Sequence, residues 1–128
     1  MRYNAWQTAS RGGRFDAMAD NYLRAFRQWF DESGTILSQS NVRVTALRQF
    51  QDDRDSIAHA ELETAACLGD VSLWEYEDGC ALIDTDFVCL ADEQFHPVHH
   101  ELRSPQELGP VLEGLIARMS ASPKPQSL

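Results

Sequence analysis

The chain has 128 residues, 43% of them hydrophobic, and carries a formal net charge of −9. That length fits one domain with one core, and no apolar run approaches the ~18–20 residues that cross a bilayer. The charge is uneven: residues 1–27 hold five arginines and two acids, whereas residues 28–102 hold sixteen acids and three arginines. Such an acidic body repels phosphate backbones, which argues against nucleic acid as a partner and for a basic protein. The N-terminus, MRYNAWQTASRGGR, has no apolar segment of a secretory signal, so a cytoplasmic protein is expected. The three cysteines, Cys67, Cys80 and Cys89, form no CxxC pattern and read as reduced, buried, small hydrophobes.

Residues 1–14 are polar and Gly-rich and read as a flexible arm, although Tyr3 and Trp6 are unusual there. From Phe15 the period changes. Phe15, Met18, Ala19, Tyr22, Phe26, Trp29 and Phe30 recur at three- and four-residue spacing, which predicts an amphipathic helix stopped at Ser33-Gly34. After a short connector, Val42 to Phe50 alternates as a strand, with Val42, Val44 and Ala46 on one side. Gln51-Asp52-Asp53-Arg54-Asp55 reads as a hairpin loop, and Ile57 to Cys67 as the next strand. In that strand Ala58, Ala60 and Leu62 share one face, and His59, Glu61 and Glu63 the other.

Leu68-Gly69-Asp70 reads as a turn into a strand over Val71–Tyr76. Asp78-Gly79 is a hairpin signal, followed by a long strand from Cys80 to about Leu90. Asp92-Glu93-Gln94 turns again and Phe95–Leu102 returns, with Pro97 marking an edge strand or a bulge. Ser104-Pro105-Gln106-Glu107 is a capping box with proline at the first helical position. Leu108, Val111, Leu112, Leu115, Ile116 and Met119 then make a second apolar stripe, which Gly109-Pro110 either kinks or restarts. Residues 120–128 read as a disordered tail, leaving residues 15–119 as the single domain. The expected architecture is a two-layer α+β domain: an antiparallel meander sheet of four or five strands, with the N-terminal and C-terminal helices on one face.

No nucleophile elbow, phosphate loop or dinucleotide fingerprint is present, so neither a catalytic residue nor a cofactor is assigned. Asp84 and Asp86, two residues apart, point to one strand face and suit a solvated face or protein contact better than metal or acid–base chemistry. His96 and His100 would share a face if Pro97 left the alternation intact, but no third metal ligand is patterned beside them. Trp74 and Tyr76 share one face and Leu73 and Glu75 the other. Aromatics beside acids near a hairpin tip suit a binding hot spot, and packing of Trp74 under a helix is the alternative. The open sheet face is therefore the expected site, with Trp74, Glu75, Tyr76, Asp78, Asp84, Asp86 and His100 as the partner-binding residues.

The order of three segments, LRAFRQWF, then LGDVSLWEYEDGCALIDTD, then HHELRSPQELGPVLEGLI, resembles the TriTu family of bacterial immunity proteins. The likeness spans about residues 22–116 and is carried by Gly69, Trp74, Glu75, Gly79, Asp84, His100, Glu101, Leu102, Ser104 and Glu107. The resemblance implies a small acidic antidote, without catalysis of its own. It would bind a cognate ADP-ribosyltransferase toxin domain one-to-one, occlude its active site and so spare elongation factor Tu. Such a protein would be a cytoplasmic monomer when free, with no membrane partner, and would belong to bacterial competition of the type VI secretion kind. The N-terminal arm departs from the family pattern and makes Met18 an alternative start. The competing expectation is an acidic chaperone for a secreted effector, which would dimerise and bind an extended peptide.

Overall fold

The computed structural model describes the backbone of residues 7–9, and residues 21–52 and 55–122. The elements in order are β1 (Gln7–Ala9), α1 (Asn21–Glu32), α2 (Gly34–Gln39), β2 (Arg43–Asp52), β3 (Asp55–Glu63), β4 (Cys67–Glu75), β5 (Ala81–Cys89), β6 (Val98–Leu102), a 3-10 turn (Pro105–Glu107) and α3 (Leu108–Ala121). One sheet holds all strands in the order β1-β2-β3-β4-β5-β6. Strands β2 to β6 form an antiparallel meander, and β1 runs parallel to β2. The expected α+β meander with flanking helices is the fold. The sixth strand lies in the arm read as flexible, and the short helix α2 replaces the connector after Gly34. The expected tail begins too early, since Ser120 and Ala121 belong to α3; the tail from 123 onward and the helical reading over Phe15 to Ala19 lie outside the described residues.

Helix α1 forms because its apolar residues fall on one face, where Tyr22, Leu23, Phe26 and Phe30 are buried. Phe26 packs on Phe30 with ring centroids 5.0 Å apart, and Trp29 meets Phe30 edge-on at 4.9 Å. On the outer side Gln28 donates to Glu32, one turn on, at 3.1 Å. Leu108, Leu112, Leu115, Ile116 and Met119 of α3 are buried beside it. Both helices cover the same sheet face: α1 lies over β3 and β4, and α3 over β5. Ala58 and Ala60 of β3, fully buried, give the helices room to approach. Each fully buried Leu or Phe here contributes about 1.5–3 kcal/mol of transfer free energy.

Several boundaries move for identifiable reasons. Leu68-Gly69-Asp70 is strand, not turn. The turn is Thr64–Ala66, where the Thr64 hydroxyl accepts the N–H groups of Ala66 (3.0 Å) and Cys67 (2.9 Å). A bulge between Val44 and Ala46 puts Leu47, not Ala46, on the covered face with Val44. Gln51, Asp52 and Asp55 belong to strands, since Asp52 pairs with Asp55. Pro97 interrupts the last strand: Phe95 makes an isolated bridge to Val88, and β6 starts only at Val98 as the sheet edge. Pro110 falls in the first turn of α3, where a missing N–H costs nothing, so the helix runs through it.

Candidate functional site

The face of the sheet away from the helices is laid out in rows by strand register. Phe50, Ile57, Trp74, Leu82 and Glu101 form one row. Arg48, His59, Ser72, Asp84 and His99 form the next. Glu61, Asp70 and Asp86 follow, and Glu63, Leu68, Val88 and Phe95 close the far side. An acidic, polar centre is thus flanked by two apolar rows. Phe95 is 67% exposed and Leu68 48%, so the far row offers apolar surface to a partner. A depression of about 430 Å³ opens there, lined by His59, Glu61, Leu68, Asp70, Asp86 and Phe95 among others.

Arg48, Glu61, His59 and Asp70 form a connected set, and two further pairs stand beside it. His59 places Nδ1 3.0 Å from the Ser72 hydroxyl and Nε2 3.2 Å from Asp70 and 3.4 Å from Glu61. Arg48 reaches Glu61 at 3.4 Å, Arg43 pairs with Glu63, and Asp84 pairs with His99. Asp70 and Asp86 are direct register partners, a like-charge cross-strand pair. Partial burial pushes the Asp70 carboxyl above its ordinary range, and Glu61 and Asp86 push it further, against a lowering by His59.

Serine, histidine and carboxylate stand in sequence here, but the arrangement does not build an acyl-transfer site. By the alternation set at Tyr76 N–H to Cys80 O, 2.8 Å, Ser72 lies in a hydrogen-bonded pair with Asp84. Its N–H is spent in the ladder, as the inner-strand N–H groups around it are, and among these described strand residues none is aimed to receive an oxyanion. What the row can do is present fixed charge to a partner. Among the described residues, no group of three His, Cys, Asp or Glu side chains is arranged to hold a metal ion.

The sequence-expected site residues separate into three places. Trp74, Asp84 and Asp86 lie on the open face; Trp74 is half-buried there and is not under a helix. Tyr76 and Asp78 lie at the β4–β5 hairpin, where the Asp78 carboxylate accepts the Cys80 N–H at 2.9 Å and Gly79 adopts a φ of 91°. That bond, made to the charged form, holds the Asp78 carboxyl below its usual range. Glu75 and His100 do not belong to the face. Glu75 is 4% exposed on the covered side and accepts the Leu23 N–H of α1 at 3.3 Å, satisfying a first-turn donor that has no partner within the helix. His100 is the register partner of Ile83, so it faces the helix side at the exposed edge, near Glu107. His96 and His100 do fall on one side, the helix side, with His96 stacked on Phe87 at 4.5 Å and His100 the register partner of Ile83, but Pro97 leaves His96 outside β6 and, among the described residues, no third ligand joins them.

Asp70 was not among the expected residues, because the segment before Val71 reads as a turn, and Ser72, inside the expected strand, carried no signal of its own. His59 and Glu61 had the signal of alternation in β3 but no neighbour to give them a role. Compared with protein families, with characterised proteins and with solved structures, the chain matches none. Among the described residues, no helix is long and apolar enough to cross a membrane.

Proposed function

We propose that the protein is an immunity-type inhibitor that binds a basic partner protein through the open face of its sheet. The observation that supports this reading is the contrast between the faces: one is sealed by α1 and α3, and the other carries Glu61, Asp70, Asp84 and Asp86 between rows of apolar side chains. Such a surface steers a cationic partner and then excludes water along its apolar borders. The segment order that resembles the TriTu family specifies the partner further: an ADP-ribosyltransferase toxin domain whose cationic NAD-binding or target-binding cleft would be filled by these carboxylates, sparing elongation factor Tu. The protein acts by occupancy and needs no chemistry of its own.

The test is co-expression with a toxin domain encoded beside it. The wild-type chain restores growth, runs with the toxin as a one-to-one complex and keeps elongation factor Tu unmodified. The Asp84→Lys/Asp86→Lys chain, folded by circular dichroism, loses protection. Full protection by that variant would exclude this face, and a free homodimer that captures only unfolded toxin would favour the chaperone reading.

A further inference from the structure

Cys67 opens β4 and Cys89 closes β5, and the two are register partners on the covered face, 0% and 5% exposed. Cys89 spends both backbone groups on the following turn: its N–H donates to Gln94 O at 3.1 Å and its carbonyl accepts the Glu93 N–H at 2.8 Å. The neighbouring pair takes the ladder bond, Leu90 N–H to Ala66 O, at 2.8 Å. Cys67 and Cys89 are therefore a non-hydrogen-bonded pair. In such pairs the Cα atoms stand about 4.5 Å apart and the side chains approach most closely. That separation falls within the roughly 4.4–6.8 Å that a disulfide spans.

The surroundings of the two thiols differ. The Cys67 thiol donates to the Met119 carbonyl at 3.7 Å and is enclosed by the core. The Cys89 sulfur lies 3.6 Å from His96 Nε2 and 3.5 Å from the Ser122 hydroxyl. The His96 ring is held in place by stacking on Phe87. Its backbone N–H is shared between Phe87 O, 2.9 Å, and the Asp86 carboxylate, 3.2 Å. His96 is itself exposed, so it connects the buried sulfur to solvent. Burial raises the Cys67 thiol above its ordinary range, and its enclosure in the core, away from solvent, makes it the second to react.

We infer that Cys67, Cys89 and His96 form a thiol-oxidation site that takes a small hydroperoxide and closes a cross-strand disulfide. His96 Nε2 accepts the Cys89 proton. The thiolate attacks the O–O bond, giving Cys89 sulfenic acid and an alkoxide that leaves as the alcohol, or as water from hydrogen peroxide, with the proton returned by His96. The Cys67 sulfur then displaces the hydroxyl group as water, using its own proton, and the S–S bond forms. Two thiols are oxidised and one peroxide is reduced. The burial of both sulfurs selects a small oxidant over a bulky disulfide, and it leaves the exposed Cys80 outside the reaction.

The experiment is timed exposure of the full-length wild-type chain to hydrogen peroxide, followed by alkylation under denaturing conditions and peptide mapping. The expected product is a Cys67–Cys89 linked peptide with Cys80 still alkylatable. His96→Gln should slow its formation on the order of tenfold while leaving the oxidation of Cys80 unchanged. In Cys67→Ala the reaction should stop at Cys89 sulfenic acid, trapped by dimedone. Recovery of Cys67 and Cys89 as free thiols after Cys80 has been consumed overturns the proposal. An unchanged rate in His96→Gln overturns the role given to His96. The wild-type map decides alone if Cys67→Ala does not fold.

Discussion

Gly69 of β4 lies directly beneath Met119 of α3: a Cβ placed on Gly69 would stand 2.7 Å from the Met119 sulfur and 2.9 Å from its terminal methyl. The last full turn of α3 thus rests on bare backbone in the middle of a strand. The obstructing atoms are the end of a flexible side chain, so Gly69→Ala should cost only about 1 kcal/mol and Gly69→Val about 2–3 kcal/mol. Urea unfolding measures both. In a Met119→Ala background the Gly69→Ala penalty should vanish, and a penalty that persisted would mean that Met119 is not what excludes the side chain.

Glu75 and the pair Asp84/Asp86 should separate stability from binding. Glu75→Ala leaves the Leu23 N–H without its acceptor in the core, so unfolding free energy should fall by about 1–3 kcal/mol. Asp84→Lys/Asp86→Lys changes exposed and half-exposed side chains and should leave unfolding within about 1 kcal/mol of wild type. Calorimetric titration against the proposed toxin partner gives the other half: a lost complex for the double variant, and a retained one for Glu75→Ala wherever that chain is folded.

Asp70 should behave as a binding-face carboxylate that destabilises the fold. Its folded-state pKa is raised above the ordinary 3.8 by burial and by Glu61 and Asp86. A raised carboxyl favours the folded state below the unfolded pKa, and that advantage is lost as pH rises through the folded pKa. Asp70→Asn should therefore raise the melting temperature at pH 7 and have little effect near pH 3, while weakening partner binding. A lower melting temperature at pH 7 would show that the contact with His59 outweighs the repulsion.

Glu107 should show the opposite sign. Its carboxylate accepts the N–H groups of Arg103 and Ser104, the latter at 3.1 Å, which holds its pKa below the ordinary 4.5. This contribution is present above pH 4.5 and is lost as pH falls through the lower folded value. Melting temperatures of wild type and Glu107→Gln, recorded from pH 6 to pH 3, should converge toward the acid end. Parallel curves would remove Glu107 from the acid response.

Read from residues alone, the meander was legible because its signals are local. Asp78-Gly79 sets one hairpin, the Ser104–Glu107 box starts the last helix, and the stripes Tyr22–Phe30 and Leu108–Met119 each need only one helix to be recognised. The bulge at Val44–Ala46 was not legible, since either alternation satisfies the spacing until Leu47 meets the core. Gly69 misled for the same reason: a glycine reads as a turn until a helix is seen to press on it.

For the site, the sequence determined charge and face period but not which face is covered. It put Asp84 and Asp86 together and Trp74 opposite Glu75, because side chains alternate along any strand. Only the packing of α1 and α3 decided that Glu75 serves the helix while Trp74 faces out. Only the register of β3, β4 and β5 brought His59, Glu61, Asp70 and Asp86 into one surface and set Cys67 against Cys89. Glu61 and Asp70 are nine positions apart, Asp70 and Asp86 sixteen, and Cys67 and Cys89 twenty-two, and no spacing along the chain encodes which of them will stand side by side.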